Sequence, residues 1–149
     1  MPATFRQRGA LGLVRLFTLH MSKIALVVDD SMLIRYSICR FLESRGFAVE
    51  AAVNGAEAVE VLARVRADLV VTDMRMPKMS GSEFITALKS KEETCRVPII
   101  VITSKANGSC EPDERADFVI YKDINVDAQL DAALESVMEP KSRGQANGK

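Results

Sequence analysis

Four short runs of β-forming residues end abruptly on side chains that can do chemistry. "IALVV" (24–28) is followed by Asp29 and Asp30, "LVVT" (69–72) by Asp73, "VPIIVI" (97–102) by Thr103 and Ser104, and "FVIY" (118–121) by Lys122. A carboxylate left at the end of a buried strand costs several kcal/mol to desolvate unless something positive meets it. If the three aspartates converge, each pair about 4 Å apart repels by roughly 4 kcal/mol at an effective dielectric near 20. Such a cluster requires a cation. Oxygen-only donors suit Mg²⁺, which keeps several waters and takes one or two carboxylates plus a phosphate oxygen. No His or Cys is placed to favour zinc. A carboxylate can also be the nucleophile in phosphoryl transfer, giving an acyl phosphate, provided that the charge on the transferring oxygens is neutralised. Asp73 would attack, Mg²⁺ on Asp30 and Asp73 would bridge one oxygen, Lys122 would pair with a second, and Thr103 would hydrogen-bond a third.

That chemistry needs a scaffold which brings the four strand ends together. Besides the runs above, "FAVEAAV" (47–53) reads as a strand, and it ends only in Asn54 and Gly55. Four of the five runs lack polar alternation, as expected of strands buried on both faces of a parallel sheet. Helical spacing fills the gaps: Ile34, Ile38, Phe41 and Leu42 with Gly46 as the stop; Ala58, Leu62 and Val65; Phe84 and Leu88; and Leu130, Leu134, Val137 and Met138 with Asn125 or Asp127 as cap. Strict strand–helix alternation predicts an α/β fold, a flavodoxin-like doubly wound five-stranded parallel sheet. In the order 2-1-3-4-5, the four chemically marked strand ends lie side by side and the unmarked strand lies outside. Gly108 and Pro112 disfavour a full helix between the fourth and fifth strands, so the fourth helix is expected to be short or irregular.

At 149 residues and 48% hydrophobic content, the chain can bury a sizeable core. Three widely spaced cysteines match no disulfide framework and point to a reducing cytoplasm. Residues 1–20 carry Arg6, Arg8 and Arg15 and no acid. Their apolar run is broken by Arg15, so they are expected to be a disordered extension rather than a signal or a membrane span. The expected domain runs from 21 to 139, and the polar residues 140–149 form a disordered tail. Between 21 and 139 there are 14 basic and 20 acidic residues, a balance that argues against DNA as partner. No phosphate-cradling glycine motif is present.

Each marked residue has a plainer reading. Asp29, Asp30 or Ser31 could cap the first helix, Asp73 could open a loop, Thr103 and Ser104 could cap a helix, and Lys122 could be solvated. Jointly, however, "LVVDDS", "DLVVTDMRMPKMSG", "VPIIVITS" and "VIYK" resemble the four landmarks of response-regulator receiver domains, in the single-domain, chemotaxis-regulator-like form. The resemblance spans Lys23 to about Glu139. It implies phosphotransfer to Asp73 from a sensor histidine kinase or histidine phosphotransfer protein, Mg²⁺ dependence, slow self-hydrolysis, and no other enzymatic activity. It also implies metal ligation by Asp29, Asp30, Asp73 and the backbone carbonyl of Arg75, with Arg75 and Lys105 at positions that tune phosphate lifetime. The family usually has proline after the active-site lysine, where Asp123 stands here. A trans bond is therefore expected, since a non-proline cis bond costs about 2.5–4 kcal/mol, and the position of Lys122 becomes an open question. The aromatic switch of the family would fall at Val119. With ten polar residues after Glu139, a stand-alone receiver that signals to a downstream protein target is expected. Two alternatives stay open. One is a non-phosphorylated docking module. The other is an aspartyl-phosphate phosphatase, which Arg75, two residues after the nucleophile, largely removes.

Overall fold

The computed structural model describes residues 22–104 and 113–138. The expectations for the extension 1–20, the tail 140–149, Lys105 and the fourth-helix segment up to Pro112 lie outside these residues. The described elements follow in the order β1 (Ile24–Val28), α1 (Met32–Ser44), β2 (Ala48–Ala52), α2 (Gly55–Leu62), β3 (Leu69–Asp73), α3 (Gly81–Lys89), β4 (Ile99–Thr103), β5 (Phe118–Tyr121) and α4 (Val126–Met138). The five strands form one parallel sheet in the order β2-β1-β3-β4-β5. This is the flavodoxin-like order that the strand ends called for.

The missing alternation in the strands has a direct cause, because both faces of the sheet are covered. Ala25, Val27, Val71, Ile100 and Ile102 face a core closed by Ile38, Phe41 and Leu42 of α1 and by Leu130, Ala133 and Val137 of α4. Their neighbours Leu26, Val28, Val70, Ile99 and Val101 face the opposite core, closed by Ala58 and Val61 of α2 and by Phe84, Ile85 and Leu88 of α3. All five residues of β3 and of β4 are buried, whereas β2, at the edge, is mostly exposed.

Local chemistry sets the helix limits. Ser31 caps α1 by accepting from the Ile34 amide, and Gly46, at φ +93°, ends it. The Gly46 and Phe47 amides then donate to the carbonyls of Glu43 and Leu42, a glycine-terminated pattern that satisfies the last turn. Asn54 caps α2, and Ser80 with Glu83 forms a reciprocal capping box on α3. Of the two caps expected for α4, Asn125 is the one used: its side-chain oxygen accepts from the Ala128 amide, while Asp127 lies in the first turn. Helix α2 stops at Leu62, so Val65 packs against the core from the turn that follows it.

The start of α3 is pressed against the end of β3. Gly81 donates its amide to the Met74 carbonyl at 2.9 Å. A Cβ at Gly81 would lie 2.5 Å from the Asp73 carbonyl oxygen and 2.7 Å from the Met74 Cα, both backbone atoms that cannot swing aside. Glycine is therefore what lets the helix close over the strand end. Gly81→Ala is expected to destabilise the fold by about 1–3 kcal/mol, the scale of overpacking. Urea unfolding would show this as a lower midpoint with an unchanged slope, and an unchanged midpoint would contradict the close approach.

Candidate functional site

The carboxyl ends of β1, β3, β4 and β5 meet at one end of the sheet, where strand order reverses between β1 and β3. Asp29, directly after β1, is 1% exposed. Its Oδ1 accepts from the Ser31 amide at 2.8 Å, so the carboxylate shapes the turn into α1. Its backbone is fixed on both sides, with the amide donating to the Ala52 carbonyl and the carbonyl accepting from the Arg35 guanidinium at 2.8 Å. Asp73 closes β3 and is 5% exposed. Its Oδ1 accepts from the amides of Met74 and Arg75 at 2.8 and 3.4 Å, and its Oδ2 accepts from Lys122 Nζ at 3.1 Å.

Lys122 follows β5 and carries the ammonium that the two aspartates share. Nζ lies 3.4 Å from Asp29 Oδ2 as well as 3.1 Å from Asp73 Oδ2. The bond after Lys122 is trans, and Asp123 in the expected proline position has not drawn the lysine away. Asp123 instead accepts from the Ser104 hydroxyl at 3.2 and 3.3 Å through its two oxygens. Thr103 is buried at the end of β4, one residue beyond Ile102, which pairs with Asp73 in register, and its carbonyl accepts from the Lys122 amide at 2.9 Å. Asp30 is exposed, yet one carboxylate oxygen from each of Asp29, Asp30 and Asp73 lies within 4.8 Å of the others. Asp29, Asp30, Asp73, Thr103 and Lys122 thus occupy adjoining strand ends, with Arg75 on the loop just after Asp73. Arg35, which braces Asp29 from α1, carried no readable signal in the sequence: an arginine in the first turn of a helix, six residues after Asp29, is ordinarily a solvated one.

Electrostatics at this site are unbalanced. Three carboxylates face one ammonium. Burial, and after it the negative charge of Asp73, pushes the Asp29 carboxyl above its usual range, against the Ser31 amide and the Lys122 charge. Burial alone would depress Lys122, but Asp29 and Asp73 together outweigh it and raise its value. Asp29 Oδ2 is a buried oxygen without a hydrogen-bond donor among the described residues. A small hard cation fits this donor set: the ligands are all oxygens, one of them lacks a donor, and the exposed Asp30 side is open to water.

A carboxyl whose folded pKa exceeds its unfolded value removes stability as the pH rises from the unfolded value, here 3.8, through the folded one. In chelator at pH 7, Asp29→Asn is therefore expected to unfold at higher urea than the wild type, with the gap closing as pH falls toward 4; a less stable variant at pH 7 would contradict the crowding. Mg²⁺ at about a hundred times its dissociation constant should stabilise the wild type by about 2.7 kcal/mol, read as a rise in melting temperature that chelator reverses.

Comparison with known proteins places this geometry. Residues 25–133 match the model of the family described as the response regulator receiver domain. The chain is 40% identical over 80 residues to the response regulator MprA of Mycobacterium sp. (strain KMS), an alignment covering 54% of this chain and 34% of that protein. It is 37% identical over 89 residues to the hybrid signal transduction histidine kinase D of Dictyostelium discoideum, covering 60% of this chain and 6% of that protein. The chain thus spans about a third, or far less, of the length of these curated relatives. Among solved structures, the Vibrio cholerae chemotaxis protein CheY4 superposes with a TM-score of 0.68 at 28% identity, over 78% of this chain and 98% of that one.

Proposed function

The chain belongs to the response regulator receiver domain family, and we propose that it accepts a phosphoryl group on Asp73 from the phosphohistidine of a sensor histidine kinase or histidine phosphotransfer protein. As a receiver it is a signalling domain of two-component type. The observation that carries the proposal is the Lys122 ammonium, shared between Asp29 and Asp73 where the strands end. A lysine merely solvated at the end of an edge strand would have no reason to turn inward onto two buried carboxylates.

In the proposed reaction a carboxylate oxygen of Asp73 attacks phosphorus. The O–P bond forms, the N–P bond of the donor breaks, and the departing imidazole nitrogen keeps the electron pair and takes a proton from solvent. Bound Mg²⁺, held by Asp29, Asp30, Asp73 and the backbone carbonyl of Arg75, would supply charge neutralisation at the phosphoryl oxygens. Lys122 pairs with a phosphoryl oxygen, which requires its ammonium to exchange part of its contact with Asp73 for the incoming group. The Thr103 hydroxyl donates to another. The amides of Met74 and Arg75 hold one oxygen of the Asp73 carboxylate, so that the acceptor does not rotate freely. Hydrolysis is the competing step: water attacks phosphorus and releases the Asp73 carboxylate and inorganic phosphate, and we assign the tuning of its rate to Arg75, on the loop after Asp73, and to Lys105, two residues after Thr103 in the sequence.

We take the output to be protein contact. Phosphorylation adds charge at the strand ends, Thr103 is drawn toward it, and the surface beyond β4 shifts population. The acidic balance of residues 21–139 disfavours DNA as the target. Among the described residues, no helix is long and apolar enough to cross a membrane, and we place the reaction in the cytoplasm, where Cys39 and Cys95 remain free thiols.

Incubation with Mg²⁺ and acetyl phosphate, followed by intact mass, is expected to add one phosphoryl group to the wild type and none to Asp73→Asn. Lys122→Ala is expected to slow the reaction by about 10²–10³, the scale of losing one charge-stabilising group at a reacting centre. An adduct that survives in Asp73→Asn would refute the acceptor assignment, and a wild type that takes no phosphoryl group would favour the docking module.

A further inference from the structure

Lys122 leads a short exposed loop, and the means by which the fold aims its ammonium lie on α4. In a strand, successive backbone groups face alternate sides. The Lys122 amide turns inward and donates to Thr103 of β4, so the amide and carbonyl of Tyr121 face outward, along the open edge of the sheet that ends in β5. An edge of this kind normally leaves its N–H and C=O groups to water or to another strand. Here the side chain of Gln129 occupies that place. Its Oε1 accepts from the Tyr121 amide at 3.0 Å, and its Nε2 donates back to the Tyr121 carbonyl at 2.9 Å, the two-point pairing that a neighbouring strand would offer. The second N–H of the same amide reaches the carbonyls of Asn125 and Ile124, at 3.3 and 3.5 Å. One side chain thereby grips the loop on both sides of Lys122. It is itself held on a rigid support, since the next residue, Leu130, is fully buried in the core beneath α4.

Resting on the receiver reading above, we propose that Gln129 is a positioning residue for the phosphotransfer: its amide fixes the Tyr121–Lys122 backbone, and through it the reach of the Lys122 ammonium to the phosphoryl group on Asp73. The loop that follows is exposed at Asp123 and Ile124, so solvent would replace the grip without replacing its direction. A side chain 3.1 Å from its target loses its geometry when the backbone that bears it is free to drift by about an ångström.

The test uses Gln129→Met, which keeps length and flexibility and removes every hydrogen bond of the amide. Phosphorylation by acetyl phosphate in saturating Mg²⁺ is expected to slow about tenfold, with the Mg²⁺ dissociation constant unchanged within twofold, because the metal is held by the aspartates. The deciding measurement is the cycle with Lys122→Ala: if Gln129 acts through the lysine, adding Gln129→Met to Lys122→Ala should change the rate by less than twofold. An unchanged rate in the single variant, or the same tenfold loss without the lysine, would overturn the proposal. A readout independent of phosphorylation separates this from failure of the receiver reading itself. The Lys122 side-chain methylene resonances should shift in Gln129→Met relative to wild type, both in the unphosphorylated state. If the wild type takes no phosphoryl group, the function falls and this shift alone decides whether Gln129 sets the lysine; resonances that do not move refute it.

Discussion

Two buried carboxylates share a single ammonium, and the rest of the molecule is arranged around that shortage of positive charge. Asp29 and Asp73 sit at the ends of adjacent strands in the middle of the sheet, 1% and 5% exposed. Neither can retreat: Asp29 is tied to the start of α1 through the Ser31 amide, and Asp73 to its own following amides. Lys122 meets both, but its 3.4 Å ion pair with Asp29 Oδ2 is not a hydrogen bond, and that buried oxygen has no hydrogen-bond donor among the described residues. Groups held in such proximity store unfavourable electrostatic free energy. A divalent cation relieves it, which is the ground for the proposal that the site binds a metal and accepts a phosphoryl group rather than serving as a structural ion pair.

The fold makes that arrangement possible at modest cost. In a parallel sheet each strand delivers its last residue to the same end, so four residues separated by dozens of positions in the chain arrive together without a long loop. Among the described residues, two helices on each face supply the apolar burial that anchors the strands. The close seating of Gly81 on Asp73 and Met74 fixes the rim. On the far edge, beyond which no further strand is found among the described residues, the Gln129 amide pairs with both backbone groups of Tyr121 beside the lysine.

The architecture was legible in the sequence because it rests on burial, and burial leaves patterns. Uninterrupted apolar runs such as "IIVIT" are explained by cores on both faces, and the strand order followed from which runs end in chemistry. Less legible were features that depend on a single contact. Val65 carries the helical spacing of α2 but lies beyond its end, since a side chain in the next turn can reach the same core. Replacement of the expected proline by Asp123 put the lysine's position in question, and the structure keeps Lys122 on Asp73 with Asp123 turned to the Ser104 hydroxyl. Arg35 and Gln129 were invisible for the same reason: each acts through one or two hydrogen bonds across a fold that must exist first. The segment expected to form the fourth helix, with Lys105, lies outside the described residues.

The central claim is that Asp73, in a pocket whose negative charge calls for Mg²⁺ and whose ammonium comes from Lys122, is where phosphorus is accepted. Fluorine NMR with beryllofluoride, which mimics the phosphoryl group, tests it most directly. The claim predicts bound fluoride resonances that require Mg²⁺, arise in the wild type and vanish in Asp73→Asn. Bound resonances that persist in Asp73→Asn, or a wild type that never shows them at saturating Mg²⁺, would contradict it.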